Sequence, residues 1–137
     1  VNKAMIMEEG TDVTIVACGA MVAEALQAKD ILAEKGISAE VINLHTIKPL
    51  DKETIISSVR KTGALVTAEE HQVMGGMGSA VLEAIAQVYP VPTEMVGVMD
   101  TFGESGTPEQ LMEKYGLKNT NIVEKVEKVI KKKSIPG

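Results

Sequence analysis

Thr11-Asp12-Val13-Thr14-Ile15-Val16-Ala17-Cys18-Gly19 is the stretch on which the reading of the fold turns. Its centre, VTIVA, is a β-branched run closed at both ends by turn-forming residues, the pattern of a buried strand. From Met21 the period becomes helical: Val22, Ala25, Leu26, Lys29, Leu32 and Ala33 share one face, and Gly36 stands where a left-handed residue ends the helix. A buried strand that feeds a helix through a glycine turn is the first half of a parallel crossover unit.

The alternation continues downstream. Ala39 to Leu44 reads as a strand, and Asp51 after Pro49 reads as the N-cap of a helix that buries Ile55, Ile56 and Val59. Ala64 to Ala68 reads as the next strand. Ala80, Val81, Ala84, Ile85 and Val88 then form a helical stripe that Pro90 and Pro92 end, and Glu94 to Met99 reads as a fifth strand. Thr107-Pro108-Glu109-Gln110 has the features of a capping box, and Asn121-Ile122-Val123-Glu124 repeats the device before Val126, Val129 and Ile130. Lys131 to Lys133 reads as a solvated helix end that complements the dipole. Upstream, Ala4 to Met7 is a short apolar run. Glu8 to Asp12 is too short for the crossover of about a dozen residues between parallel neighbours, so this first strand runs antiparallel to the second and belongs at an edge. The pattern predicts a doubly wound, mostly parallel sheet covered by helices on both faces.

At 137 residues the chain fits one domain, 1–137, and 45% apolar with 24% charged residues is a globular composition. A net charge of −5 and only three aromatic residues, Tyr89, Phe102 and Tyr115, argue against nucleic acid. One cysteine, no paired Cys/His spacing and no apolar run near the roughly 20 residues of a membrane span point to the cytoplasm. The chain opens on Val1 with no signal segment, as a piece of a longer protein does; proteolytic trimming or an expression product looks identical.

In such a sheet ligands bind beyond the carboxyl ends of the strands. The turns there carry Cys18-Gly19, His45-Thr46, Glu69-Glu70-His71 and Asp100-Thr101, although loop solvation accounts for the same polar residues. Cys18 beside His45 or His71 would make a nucleophile pair, against the commoner use of a buried cysteine as a small hydrophobe. Glu70, His71, Gly75, Gly76, Gly78 and Ser79 form the candidate contact for a small anion. The glycines precede a helix N-terminus, where amides attract anions. Yet no Lys or Arg lies between Lys61 and Lys114, and neither a P-loop nor the dinucleotide fingerprint is present. A tight turn with close helix packing also explains the glycines. The eight methionines, Met74 and Met77 among them, fit either core filling or an interface.

GTDVTIVACGAMVAEAL, VINLHTIKPLD, LVTAEEHQVMGGMGSAVLEAI and FGESGTPEQLMEKYGL, in that order, resemble the C-terminal domain of the transketolase superfamily over nearly the whole chain. The last pattern is most similar to transketolase itself, especially the form made as separate N- and C-terminal sections. The resemblance implies a three-layer, Rossmann-like α/β/α domain. Its five-stranded, mostly parallel sheet has the first strand antiparallel and beside the third. It also implies a cytoplasmic homodimer of the pentose phosphate pathway that moves two-carbon ketol units between sugar phosphates. Thiamine diphosphate and Mg would be held by partner domains or a partner subunit, the N-terminal pyrophosphate- and pyrimidine-binding parts. This chain would then be an assembly domain, inactive alone, with no catalytic, cofactor-binding or metal-binding residue of its own, and the Glu70–Ser79 set would be a polar contact with another domain. The same resemblance admits deoxyxylulose phosphate synthase and the docking domain of a 2-oxoacid dehydrogenase β subunit. The residues alone also admit a stand-alone anion-binding regulatory module, or a Cys/His hydrolase.

Overall fold

Every residue of Val13–Ala17 is buried, so this strand, β2, needs cover on both faces. The structure is a computed structural model that describes residues 4–45, 50–70, 76–97, 110, 113 and 118–133. β1 is Met5–Glu8, and β2 leads into α1, Met21–Glu34. β3 (Ala39–Asn43), α2 (Lys52–Thr62), β4 (Leu65–Ala68), α3 (Met77–Ala86) and β5 (Thr93–Val96) follow, and α4 spans Asn119–Lys133.

The five strands form one sheet in the order β1-β3-β2-β4-β5. β1 is antiparallel to β3, and all other pairs are parallel. The expected direction and edge position of β1 are therefore observed. Alternation along β2 divides the core. Val13, Ile15 and Ala17 pack with Leu32 of α1 and with Ile122 and Val126 of α4. Val16 packs with Ile55 and Val59 of α2 and with Val81 and Ile85 of α3. These are the three layers read from the sequence.

Local expectations hold with shifts. Asp51 caps α2 by accepting the Thr54 N–H at 3.2 Å, and its second oxygen accepts the Ala4 N–H at 2.9 Å, fastening the approach to β1. Gly36, at φ +80°, takes the left-handed conformation that ends α1. The buried face of α1 runs through Met21, Ala25, Ala28 and Leu32, so Ala33 is exposed instead. α3 stops at Ala86, and Val88 lies beyond the helical stripe, 52% exposed. Asn121 is not an N-cap: α4 begins two residues earlier, and the Asn121 side-chain Oδ1 accepts the Lys118 N–H at 3.0 Å. The Lys131–Lys133 end is more than solvated, because Lys132 pairs with Glu94 and Lys133 donates to the carbonyls of Asp12 (2.8 Å) and Thr62 (2.6 Å). Gln110 and Glu113 are helical, but Thr107 to Glu109 lie outside the described residues, as do Val98 and Met99 of the expected fifth strand.

On the α2 side a polar network lies beside the apolar packing. Thr14 Oγ1 is 2.7 Å from both Ser58 Oγ and Thr62 Oγ1, and Ser58 donates to Glu40 at 2.6 Å. Glu40, 1% exposed, also accepts from the Gly10 N–H and from Lys61. Burial opposes its ionisation, but the hydrogen bonds from Lys61, Ser58 and Gly10 and the charge of Lys61 outweigh it and hold the carboxyl below the usual carboxylate range. A depressed folded pKa contributes stability above the unfolded carboxylate value, and that stability is lost as pH falls through the folded one. Urea unfolding across pH tests this. Glu40→Gln is expected to lower stability by about 1–3 kcal/mol at pH 7 and to flatten the acid limb of the profile.

Candidate functional site

β2 leads through α1 to β3 on one side, whereas β4 leads through α3 to β5 on the other. The chain therefore changes direction between β2 and β4, and the crevice beyond their carboxyl ends is where this topology places ligands. The sequence puts Cys18-Gly19-Ala20 on one wall and Glu69-Glu70 on the other. The ladder holds the walls in register, with Cys18 N–H on Ala68 O at 3.3 Å and Glu69 N–H on Val96 O at 3.0 Å.

The two carboxylates reach two different helices. Glu69, 4% exposed, accepts the Gly78 N–H at 2.6 Å and the Met77 N–H at 3.2 Å, which satisfies the first turn of α3. Glu70 accepts the Ala20 N–H at 3.3 Å, at the start of α1. The anion that a helix N-terminus favours is here the chain's own side chain. Gly78 is required by this arrangement. A Cβ on it would lie 2.9 Å from Glu69 Oε2, 2.9 Å from Thr67 Oγ1 and 3.0 Å from Met95 Sδ. Thr67 is buried, and its hydroxyl has no hydrogen-bond partner among the described residues.

Cys18 is half-buried beside this pair, and burial, reinforced by the charges of Glu69 and Glu70, pushes its thiol pKa up. That is the reverse of the electropositive setting that activates a nucleophilic cysteine. His45 is exposed. Of the other expected contact residues, Gly76 is buried as the N-cap of α3, Ser79 is exposed and Glu70 is half-buried. His71, Gly75, Thr46, Asp100 and Thr101 lie outside the described residues, as does Met74, whereas Met77 is fully buried in the core. The direct role of Glu69 was missed, and its signal was available: an acidic residue at a strand end shortly before a glycine-rich helix start.

The family model described as "Transketolase, C-terminal domain" matches residues 2–122. The chain belongs to the transketolase C-terminal domain family. It is 50% identical over 133 residues to a 6-deoxy-6-sulfo-D-fructose transketolase subunit of Clostridium sp. (strain MSTE9), covering 97% of this chain and 41% of that protein. It is 41% identical to a putative transketolase C-terminal section of Methanocaldococcus jannaschii, covering 96% of this chain and 41% of that protein. A 1-deoxy-D-xylulose-5-phosphate synthase of Desulforudis audaxviator is 40% identical over 98% of this chain but 22% of its own length. Among solved structures, a split-gene transketolase described as an inactive beta4 tetramer superposes with a TM-score of 0.89 at 49% identity, covering 95% of this chain and 43% of that one. The chain thus spans less than half the length of these relatives.

Transketolases and 1-deoxy-D-xylulose-5-phosphate synthases are thiamine-diphosphate enzymes, and a bound diphosphate would need an anion seat, with ligands for any accompanying metal ion. Among the described residues no group of three or more His, Cys, Asp or Glu side chains could hold a metal ion, and the α3 terminus already holds Glu69. The described residues therefore do not fit that cofactor. No described helix is long and apolar enough to cross a membrane.

Gly78→Ala is expected to displace the Glu69 carboxylate and to lower stability by about 1–3 kcal/mol, read as a fall in Tm. Cys18 should alkylate slowly near neutral pH, and Glu69→Gln with Glu70→Gln should shift its pH–rate profile downward.

Proposed function

We propose that this chain is the C-terminal assembly domain of a transketolase-like enzyme that transfers two-carbon ketol units between sugar phosphates, and that it is not catalytic alone. One observation carries the reading. The described helix-start amides at the crevice where this topology places ligands donate to Glu69 and Glu70, so these anion positions serve the domain's own packing. Relatives with the same domain over nearly its whole length are described as a transketolase subunit and a transketolase C-terminal section, each more than twice as long.

Thiamine diphosphate and Mg belong, on this reading, to the pyrophosphate- and pyrimidine-binding domains or to a separate subunit, in a cytoplasmic homodimer. This domain extends the assembly interface. Glu70, His71, Gly75, Gly76, Gly78 and the exposed Ser79 then contribute to a polar contact with a neighbouring domain. That role suits the edge better than an anion seat does, because the Met77 and Gly78 amides are engaged. The phosphorylated or sulfonated character of the ketose is set outside this chain. A second reading, the same role in a 1-deoxy-D-xylulose-5-phosphate synthase, is favoured by relatives 40–43% identical over most of the chain.

Calorimetric titration of thiamine diphosphate with Mg tests the proposal, on this chain alone and mixed with a polypeptide carrying the upstream domains. Binding and ketol transfer are expected only in the mixture. Saturable binding to this chain alone would overturn it, and formation of deoxyxylulose phosphate by the mixture would select the second reading.

A further inference from the structure

β1 is paired on one side only, and three successive residues in it are apolar and exposed: Met5 at 52%, Ile6 at 45% and Met7 at 37%. Neighbouring strand residues point to opposite faces, so this edge is apolar above and below the sheet. The only other large apolar side chains exposed among the described residues are Leu82, Val88 and Tyr89, so half of the exposed set is concentrated in one strand. Such a cluster at a sheet edge marks a surface that something covers. Ile6 also lines a groove of about 360 Å³ against α2, whose wall carries Glu53, Ser57 and Lys61.

Charge identifies the occupant. Glu8 and Glu9 are exposed at the end of the strand and Glu53 is exposed in the groove, and no described cation pairs with any of them. Lys61 is committed to Glu40. A second copy would bring the same acidic rim and a net charge of −5 to this rim. Strand-to-strand addition is also poorly served, because β1 has four residues and its register against β3 shifts between Ile6 and Glu8.

We propose that the Met5-Ile6-Met7 strip of β1, rimmed by Glu8, Glu9 and Glu53, is the docking surface for the upstream domains of the enzyme, which meet it with apolar side chains flanked by Lys or Arg. This rests on the reading of the chain as one part of a larger enzyme, and it names a surface distinct from the Glu70–Ser79 edge.

The test is a calorimetric titration of a polypeptide carrying the upstream domains into wild type, Ile6→Ser and a Glu8→Lys/Glu9→Lys double variant, with hydrogen exchange of the Met5–Glu8 amides. The altered side chains are exposed, so melting should match wild type. Where Ile6→Ser loses stability, the charge variant decides. Affinity is expected to fall about tenfold or more in each variant and with rising salt, and the β1 amides to gain protection in the wild-type complex. Wild-type binding that neither variant weakens would overturn this surface while leaving the companion domains in place. Failure of wild type to bind would overturn both. A wild-type dimer that Ile6→Ser dissociates would make the occupant a second copy and overturn the proposal.

Discussion

A strand whose five side chains are all buried can exist only between two layers, and β2 imposes that constraint on everything around it. Val13, Ile15 and Ala17 demand α1 and α4 on one face, and Val16 demands α2 and α3 on the other. Once helices lie on both faces, the chain must reverse its winding direction somewhere, and it does so between β2 and β4. The same constraint leaves two helix N-termini facing one crevice, each with amides that need acceptors. Glu69 and Glu70 supply them, so an arrangement that holds ligands in other proteins of this topology is turned here to holding α3 and α1 in place.

The layers, the strand count and the antiparallel first strand were legible because they rest on periodicity and loop length. The β-branched run Val13–Ala17 and the short Glu8–Asp12 link carry that information locally. Element ends were less legible, since they depend on tertiary contacts. Val88 continues the apolar spacing of α3, but Gln87 already closes the helix, and Val88 and Tyr89 donate their N–H groups to Ile85 O beyond its last turn. Asn121 resembles a cap, yet the Asn119 N–H meets Glu24 at 2.8 Å, a contact 95 residues away in sequence, and that contact draws the helix start upstream.

The site was partly legible. The cluster of carboxylates, glycines and cysteine at one sheet edge was visible, because topology alone gathers it there. The partner of each group was not. Periodicity cannot say that Glu69 turns toward Gly78 or that Glu70 reaches Ala20, and both contacts engage helix-start amides that the sequence alone leaves open. Nor can it say that Cys18 is half-buried beside two carboxylates, so that burial first and their charges second make its thiol harder to ionise. The hydroxyl and carboxylate network of Thr14, Ser58, Thr62 and Glu40 was likewise hidden. Its members lie on three different elements, and each alone reads as an unremarkable polar residue.

Lys133 fastens the last turn of α4 to Asp12 and Thr62, residues 121 and 71 positions earlier. The apolar face of β2 that holds Val13 and Ile15 is closed only when Ile122 and Val126 arrive. During synthesis, then, more than a hundred residues leave the ribosome before that face can be shielded from water. Between the emergence of β2 and that of α4 this face is only partly covered, so the strand that defines the architecture is completed by a helix more than a hundred positions further along.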